Sequence, residues 1–447
     1  MGHVIERETT PSPASGHGAG AGNPPPPRRL RRDATAVAAL LAFVAATSCA
    51  SASASHSAGS ASGSVASDIP SRNPSPGSTS SVPADPPSTR IGTPYLPKPT
   101  GSQPVGTTSI YLKDTSRTDP WVPGAKAREL MVSLWYPAKS RKGKRAPYMT
   151  PKESELTLKD GEITNLPLAL LSKTRTNAIS GARPAGHRRG LPLIVLSPGF
   201  TKPRSSLTAL AEDLASRGYV AAVIGHTYEN IATSFPDGRV TTCVACEVKQ
   251  KDQAFWDKVG ATRAADVSYV LDELTRASPI WKGAELINPS RIAMAGHSAG
   301  GASAVGAMLK DPRVRAGINI DGTAFVPVPE SGLSRPFLFL GTRATHGPGG
   351  KDGSWEQVWR NLTGWKRWLV VAGAEHASFT DISVLAEQIG IYRNTDLPPV
   401  RSLEITRAYV AAFFDLHLRA KPQPLLDGPS TRYPEVELCD ADQKTCA

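Results

Sequence analysis

The chain contains 447 residues, including 40 prolines and 39 glycines, and carries a formal net charge of +12. A basic chain can bind nucleic acid, but here the basic residues are scattered and no aromatic stacking motif accompanies them, so we expect no nucleic-acid partner. From Thr9 to Pro99 the sequence is mostly Ala, Ser, Gly and Pro. Such a stretch buries too little apolar surface to offset the entropy of ordering it. The remaining residues, about 350, suit one large α/β domain.

The first element along the chain is an export segment, which we place at residues 1–54. Residues 28–49 read RRLRRDATAVAALLAFVAATSC, so four arginines precede an apolar run at 34–46. That run is shorter than the ~20 apolar residues that a membrane-spanning helix needs. A charged segment followed by a short apolar core is typical of a secretory signal. Residues 55–99, rich in Ser, Pro and Ala, are then predicted to be a disordered linker.

Two interpretations of the processing site stay open. Residues 46–49 read ATSC and resemble a bacterial lipoprotein box, in which a lipidated Cys49 would attach the protein to a membrane. Residues 50–52 and 52–54 both read ASA, which is an ordinary small-residue cleavage site. The sequence therefore predicts a bacterial protein that is either secreted or held at the cell envelope, and we expect it to be a monomer.

The remaining cysteines are Cys243, Cys246, Cys439 and Cys446. An even number in an exported chain indicates disulfides. Pairing within each local couple is the simplest arrangement, although the sequence does not decide among the pairings. The histidines are spread out and no HExxH motif is present, so we expect no metal ion and no cofactor.

Apolar strands alternate with amphipathic helices over residues 100–447, which we assign to the catalytic domain. Polar residues rich in Lys, Arg, Pro and Gly fill 138–190, which we predict to be an insertion near the active site. Alternation of this kind predicts an α/β fold with a mostly parallel sheet and helices on both faces. The predicted strands are 130–136, 193–196, 220–224, 292–295, 316–320, 337–340 and 368–371, and the predicted helices are 205–217, 252–275, 301–309 and 401–419.

Residues 296–300 read GHSAG and fit the pattern G-x-S-x-G. The pattern alone is common, but here the predicted strand at 292–295 precedes it and the small-residue helix at 301–309 follows it. A strand, a tight turn and a helix form the setting of a nucleophile elbow, where glycines avoid a clash at the turn. We therefore predict that Ser298 is a catalytic nucleophile in an α/β-hydrolase fold.

A serine hydroxyl is a weak nucleophile and needs a base, which in this fold follows the serine and the acid along the chain. His376 lies in a loop just after the strand at 368–371, and we predict that it is the base. His346 and His417 are the other downstream histidines. We expect His417 to lie at the surface of the final helix.

The acid of such a triad fixes the orientation of the histidine and stabilises its protonated form. Asp321 directly ends the strand at 316–320, which places it at the carboxyl edge of the sheet. We therefore predict that Asp321 is the acid, with Asp352 and Asp381 as competing candidates.

An oxyanion hole needs two backbone N–H donors. One should come from the residue after the nucleophile, Ala299, and the other from the loop after an earlier strand. Residues 197–200 read SPGF and follow the strand at 193–196. We predict that Phe200 supplies the second N–H group.

Taken together, these segments resemble the serine esterases related to platelet-activating-factor acetylhydrolase, of the plasma type and type II. The resemblance extends over most of residues 103–415 and includes the acid at the end of the strand after the nucleophile helix. It implies hydrolysis of short or oxidised acyl esters without calcium. The segments that carry it are QPVG at 103–106, PLIVLSPGF at 192–200, DLASRGYVAA at 213–222, GHSAGG at 296–301 and EHASF at 375–379.

A second resemblance concerns the oxyanion loop. The SPGF sequence at 197–200 looks like actinobacterial cutinases and polyester hydrolases, whereas the acetylhydrolases carry His-Gly there. Those cutinases hold their acid one strand later, where residues 341–346 read GTRATH and contain no acid. We therefore predict a serine carboxylic-ester hydrolase that acts through an acyl-enzyme on short-chain or phospholipid-like esters. A cutinase-like polyester hydrolase and a catalytically inactive envelope binding protein stay open as alternatives.

Overall fold

A computed structural model describes residues 92–391 and 395–447. The predicted export segment and nearly all of the predicted linker lie outside the described residues. The strands of the described ranges are β1 (Val105–Asp114), β2 (Arg128–Pro137), β3 (Arg145–Pro147), β4 (Arg175–Ser180), β5 (Leu191–Ser197), β6 (Val220–Gly225), β7 (Thr233–Ser234), β8 (Val240–Thr241), β9 (Ile287–His297), β10 (Val314–Ile320), β11 (Phe337–Thr342), β12 (Lys366–Val371), β13 (Val436–Asp440) and β14 (Thr445–Cys446). The α-helices are α1 (Pro151–Asp160), α2 (Thr208–Ser216), α3 (Gln253–Thr275), α4 (Ala299–Lys310), α5 (Arg343–His346), α6 (Ser354–Asn361), α7 (Asp381–Gln388) and α8 (Pro399–Arg419).

Twelve of these strands form one sheet in the order β14-β13-β12-β11-β10-β9-β5-β6-β2-β1-β4-β3. The central run from β12 to β6 is parallel throughout. Antiparallel strands extend it on both sides, with β2 beside β6 and β13 beside β12. The carboxyl ends of the parallel strands therefore meet along one edge, where loops can bring side chains together. The predicted mostly parallel sheet is confirmed.

Helices cover both faces of the sheet, as predicted. Strand β5 shows the division, because successive side chains of a strand point to opposite faces. Leu193 and Val195 pack in a core cluster with residues of α3 and α4. Ile194 and Leu196 pack in a second cluster with residues of α2 and α8. All four are fully buried, which explains the continuous apolar run in the sequence.

Local sequence explains the helix boundaries. Asp252 precedes α3, and its side chain accepts a hydrogen bond from the N–H of Phe255, so it caps the helix. Thr150 and Glu153 form a capping box at the start of α1. Helix α1 and the strands β3 and β4 lie within residues 138–190. That this segment is an insertion near the active site stays a prediction.

Two disulfides close short loops, Cys243–Cys246 and Cys439–Cys446. The local pairing, which the sequence favoured as the simplest, is the one formed. The second bond links β13 to β14 at the edge of the sheet. Within residues 92–391 and 395–447, no helix combines the length and the apolar character needed to cross a membrane.

Candidate active site

The turn between β9 and α4 holds Ser298 in a strained backbone conformation. Ser298 has φ 58° and ψ −128°, a region that residues other than glycine rarely adopt. Its N–H donates to the carbonyl oxygen of Ile320 over 2.8 Å, which ties the turn to β10. Ser298 is half-buried, whereas His297 and Ala299 on either side of it are buried. The turn therefore leaves the serine accessible and hides its two neighbours.

Close backbone approaches require the two glycines of the GHSAG sequence. A Cβ on Gly296 would lie 2.2 Å from the carbonyl carbon of Gly300. A Cβ on Gly300 would lie 1.9 Å from the carbonyl oxygen of Ser197. Both distances are far inside van der Waals contact, so a side chain at either position would force the turn open.

Asp321 follows β10 directly and is buried, with φ 52°. Its Oδ2 lies 2.6 Å from Nδ1 of His376, and its Oδ1 accepts from the N–H of Thr342 over 2.7 Å. Oδ1 also lies 2.8 Å from Nδ1 of His346. Burial disfavours the ionised carboxyl, but the hydrogen bonds from both histidines outweigh burial and hold the pKa of Asp321 well below its usual range. Asp321 is therefore ionised and directed at His376.

His376 begins a short 3₁₀ turn (His376–Phe379) after β12. Its side chain is 42% exposed, so one edge of the imidazole is open to a ligand while Nδ1 faces Asp321. His297 stabilises this turn, because its Nε2 donates a hydrogen bond to the carbonyl oxygen of His376 over 2.7 Å. Burial, and then the neighbouring His376, lower the pKa of His297 to about 3. His297 is therefore a neutral structural support near neutral pH.

The loop after β5 lies against the nucleophile. A Cβ on Gly199 would lie 3.2 Å from the Cβ of Ser298 and 3.3 Å from Nδ1 of His297. Within the described part of the chain, the N–H groups of Phe200 and Ala299 have no hydrogen-bond acceptor. Both predicted oxyanion donors thus lie beside the nucleophile with free N–H groups, and their role in catalysis stays a prediction.

A buried ionic network contacts the backbone of the oxyanion loop and fixes its position. Nη1 of Arg263 donates to the carbonyl oxygen of Pro198 over 2.6 Å, and its Nε donates to Glu229 over 2.7 Å. Trp121 donates to the other carboxylate oxygen of Glu229 over 3.0 Å. The N–H of Thr201 donates to the backbone carbonyl of Glu229 over 2.9 Å. These contacts fix the loop on both sides of Phe200.

A second part of this network runs beneath Ser197. Its hydroxyl lies 2.9 Å from Nε2 of His226, and Nδ1 of His226 lies 2.8 Å from Asp266. Asp266 also accepts from Arg128, which is fully buried. This network was not predicted from the sequence. One signal was available, because Arg263 and Asp266 stand among the apolar residues of α3.

Three half-buried aromatic rings form a cluster at the carboxyl edge of the sheet, close to the oxyanion loop. Trp256 stacks on Phe325 with 4.6 Å between ring centroids. Phe200 meets Trp256 edge-on at 5.5 Å. Phe200 follows Gly199 directly, and Phe325 lies in the loop that begins at Asp321. We call these three rings the aromatic cluster.

The competing candidates fall in different places. His346 and Asp352 join the hydrogen-bond chain of Asp321, since Nε2 of His346 lies 3.2 Å from Asp352. Asp381 instead lies at the start of α2, where it accepts a hydrogen bond from the N–H of Ala209. The expectation that His417 lies at the surface is wrong. Its ring is half-buried against Trp365 and Phe413, partners that its place in the helix does not reveal.

No group of three or more His, Cys, Asp or Glu side chains in the described ranges is arranged to hold a metal ion.

Fold and site together define a serine ester hydrolase of the α/β-hydrolase class that acts on acyl esters. The sequence model for "Platelet-activating factor acetylhydrolase, isoform II" matches residues 90–261 and 279–421. The chain therefore belongs to the platelet-activating factor acetylhydrolase family.

The similar proteins are named either as hydrolases of acetyl esters or as a ferulic acid esterase. A protein of Arthroderma benhamiae named "Probable 1-alkyl-2-acetylglycerophosphocholine esterase" is 28% identical over 77% of this chain and 94% of its own length. A platelet-activating factor acetylhydrolase of Bos taurus is 23% identical over 77% of this chain and 82% of its own length. Among solved structures, a ferulic acid esterase from Streptomyces cinnamoneus is 42% identical, with a TM-score of 0.70, and the match covers 78% of this chain and all of that chain.

Proposed function

We propose that Ser298, His376 and Asp321 form a catalytic triad. The observation that carries the proposal is the 2.6 Å contact between Asp321 Oδ2 and His376 Nδ1. Ser298, at its strained turn, is tied to the same place because its N–H bonds the carbonyl of Ile320, the residue before Asp321. With Nδ1 committed to Asp321, Nε2 is the ring nitrogen that can accept a proton from the serine hydroxyl. The exposure of His376 gives a substrate access to that nitrogen.

The reaction then proceeds in two halves. Ser298 attacks the ester carbonyl while His376 takes the hydroxyl proton, and the N–H groups of Phe200 and Ala299 stabilise the oxyanion. His376 returns the proton to the leaving alcohol, which leaves an acyl group on Ser298. Water, deprotonated by His376, hydrolyses this acyl-enzyme, and the proton returns to the serine. Asp321 stays ionised and stabilises the imidazolium in both halves.

For the acyl group, we propose a short chain, on a simple alcohol or on a phospholipid-like alcohol. The names of the curated relatives support this choice, since both refer to acetyl esters of the platelet-activating-factor type. Membership of the same family supports it further. A cutinase-like action on polyesters is the alternative that the SPGF loop favours.

A second candidate is the ester of an aromatic acid. The aromatic cluster favours it, because offset or edge-on packing against rings of this kind stabilises a planar aromatic group by about 0.5–1.5 kcal/mol. The ferulic acid esterase, the most similar of the proteins described above, supports it as well. Phe200 would then both donate its N–H to the oxyanion and contact the acid.

Initial rates on nitrophenyl acetate, butyrate and octanoate, methyl ferulate, an acetyl glycerophosphocholine and a polyester film separate these substrates. The short-chain proposal predicts the highest kcat/KM on acetate or on the acetyl phospholipid. A ferulate value that exceeds both, and that falls about tenfold in Trp256→Ala while the acetate value holds, selects the aromatic candidate. Ser298→Ala should be inactive on all of them. Full activity in that variant contradicts the triad, and an inert wild-type protein favours the binding-protein alternative.

We further propose that the protein is a monomer and is exported. After export it is either secreted or held at the cell envelope through Cys49. The charged and apolar pattern at 28–49 and the two disulfides support export. Mass spectrometry of the mature protein from a bacterial host distinguishes the forms. A diacylated Cys49 at the new N-terminus indicates a lipoprotein, and cleavage after residue 52 or 54 indicates secretion. An intact export segment in cytoplasmic protein contradicts both.

A further inference from the structure

A second histidine contacts the acid of the proposed triad. His346 ends the short helix α5 after β11, and its side chain is only 3% exposed. Its Nδ1 lies 2.8 Å from Oδ1 of Asp321, the oxygen that does not contact His376. Its Nε2 lies 3.2 Å from Oδ2 of Asp352. Both ring nitrogens of a buried imidazole therefore face carboxylate oxygens.

This arrangement fixes the charge of His346. A carboxylate can only accept a hydrogen bond, and a neutral imidazole carries a proton on one nitrogen. Two carboxylate partners are satisfied only when both nitrogens carry protons, that is, by an imidazolium. The ring also stacks on Trp355 at 4.4 Å with 17° between the planes, a geometry that suits a cation. Burial opposes the charge, but the hydrogen bonds to Asp321 and Asp352 outweigh it and raise the pKa of His346 to about 9.

Charged and titratable groups from several elements surround Asp321 and His346. Asp321 comes from the end of β10, and Asp352 from the loop before α6. His297 from β9 lies 4.6 Å from His376 between ring centroids and is neutral, because burial lowers its pKa to about 3. Lys202, two residues after the oxyanion loop, lies on the side of His297, where its charge further lowers that pKa. The cation nearest to Asp321 is thus His346, which shares the carboxylate with His376.

We propose that His346 and Asp352 are positioning residues that extend the triad into a chain of five groups, Ser298, His376, Asp321, His346 and Asp352. Asp352 keeps His346 protonated, and His346 fixes the rotamer of Asp321 and partly neutralises it. A partly neutralised Asp321 stabilises the imidazolium form of His376 less than a lone carboxylate would. The enzyme therefore stays active at lower pH than it would without the positive charge of His346. The inference rests on the proposed triad.

The variant His346→Gln tests this inference. Glutamine can still donate to Asp321 but carries no charge. The acidic limb of the pH profile of kcat/KM should move upward by about one pH unit, while the plateau above that limb stays within about tenfold of the wild type. His346→Arg restores a planar cation and should return the limb towards its wild-type position. His417→Gln, at a half-buried ring outside the site, should leave the profile unchanged.

A second measurement uses only the wild-type protein, so it does not depend on whether a variant folds. Nitrogen NMR of the histidine side chains in the wild-type protein should show one imidazole that carries protons on both nitrogens at pH 8. If no such signal exists, the inference is overturned. It is also overturned if His346→Gln lowers kcat/KM equally at every pH without moving the limb, because a merely structural role predicts that result.

Failure of the inference and failure of the proposed function give different results. If a fluorophosphonate probe does not label Ser298 in the wild-type protein, the triad itself is wrong. If the probe labels Ser298 but the acidic limb is the same in His346→Gln and the wild type, the triad stands and only the role of His346 and Asp352 is lost.

Discussion

Nε2 of His297 donates a hydrogen bond to the carbonyl oxygen of His376 over 2.7 Å, so the residue before the proposed nucleophile supports the turn that carries the proposed base. The serine and the histidine come from different parts of the chain, 78 residues apart by their numbers. This bond makes the position of the histidine turn depend on the elbow itself. One buried, neutral side chain thereby links the turn that carries Ser298 to the turn that carries His376, two members of the proposed triad.

Removing that donor should loosen the histidine turn. His297→Phe keeps an aromatic ring of similar shape but leaves the His376 carbonyl without this partner. We expect kcat to fall about tenfold and the free energy of unfolding to fall by about 1–2 kcal/mol, measured by ester hydrolysis and urea unfolding. His417→Phe is the matched control, because Nε2 of His417 has no hydrogen-bond partner in the described structure. Equal losses in the two variants would argue against a specific support role.

The elbow should reject a single methyl group. Gly300→Ala places a Cβ against the Ser197 carbonyl oxygen, and we expect activity to fall at least about a hundredfold, or the protein to become insoluble. In Gly306→Ala, a Cβ on the same helix meets Val326 at an ordinary 3.4 Å. That control should be neutral or more stable by about 0.5–1 kcal/mol, from its better helix propensity. Thermal melting and activity of both proteins check the prediction, which an active Gly300→Ala enzyme would refute.

The ionic network should matter for both stability and catalysis. Arg263→Met removes the guanidinium that bonds Glu229 over 2.7 Å and frees the Pro198 carbonyl, which leaves Arg128, 3.9 Å away, as the cation beside the Glu229 carboxylate. A buried charge left with no partner costs about 3–5 kcal/mol, so with Arg128 still present we expect a loss of up to about 3 kcal/mol, which chemical denaturation would measure. In the protein that remains folded, kcat should fall because the Phe200 N–H loses its support. Arg276→Met, at the exposed end of α3, should change either quantity little. Unchanged stability in Arg263→Met would show that the network is dispensable.

The stability that protonated His346 gives to the folded protein should be lost at alkaline pH. The pKa of His346 in the folded protein is raised to about 9, from an unfolded value of about 6.5. A raised histidine pKa stabilises the folded state fully below the unfolded pKa, and this stabilisation is lost as pH rises through about 9. The free energy of unfolding should therefore fall between pH 6.5 and 9, with a slope of at most about 1.4 kcal/mol per pH unit from this group. His346→Gln should flatten the decline, and an equally steep decline in the variant would contradict the assignment.

The sequence predicted the central fold well, because buried parallel strands appear as short apolar runs such as Leu193–Leu196. It did not assign β1, in which polar residues such as Thr107 and Thr108 interrupt the apolar pattern. Ser298, Asp321 and His376 could be chosen as candidates because Ser298 and Asp321 directly follow recognisable strands and His376 follows β12 after four residues. The structure brings those three elements to one edge of the sheet.

The rest of the site depends on contacts that spacing does not reveal. His346 and Asp352 were rivals for roles in the triad, and only the three-dimensional arrangement places His346 against Asp321 and Asp352 against His346. Arg128 and Asp266 lie 138 positions apart in the sequence and meet in the interior. Their pairing has no local signature, since a charged residue in an apolar segment shows that a partner is needed but not which one.

The central claim is that Ser298 is activated by His376. Peptide mapping after reaction with a fluorophosphonate, in the wild-type protein and in Ser298→Ala and His376→Ala, tests it most directly. We predict a single modified peptide containing Ser298 in the wild type, no modification in Ser298→Ala, and labelling slowed by at least about a hundredfold in His376→Ala. Modification of another serine, or equally fast labelling of Ser298 without His376, would contradict the claim.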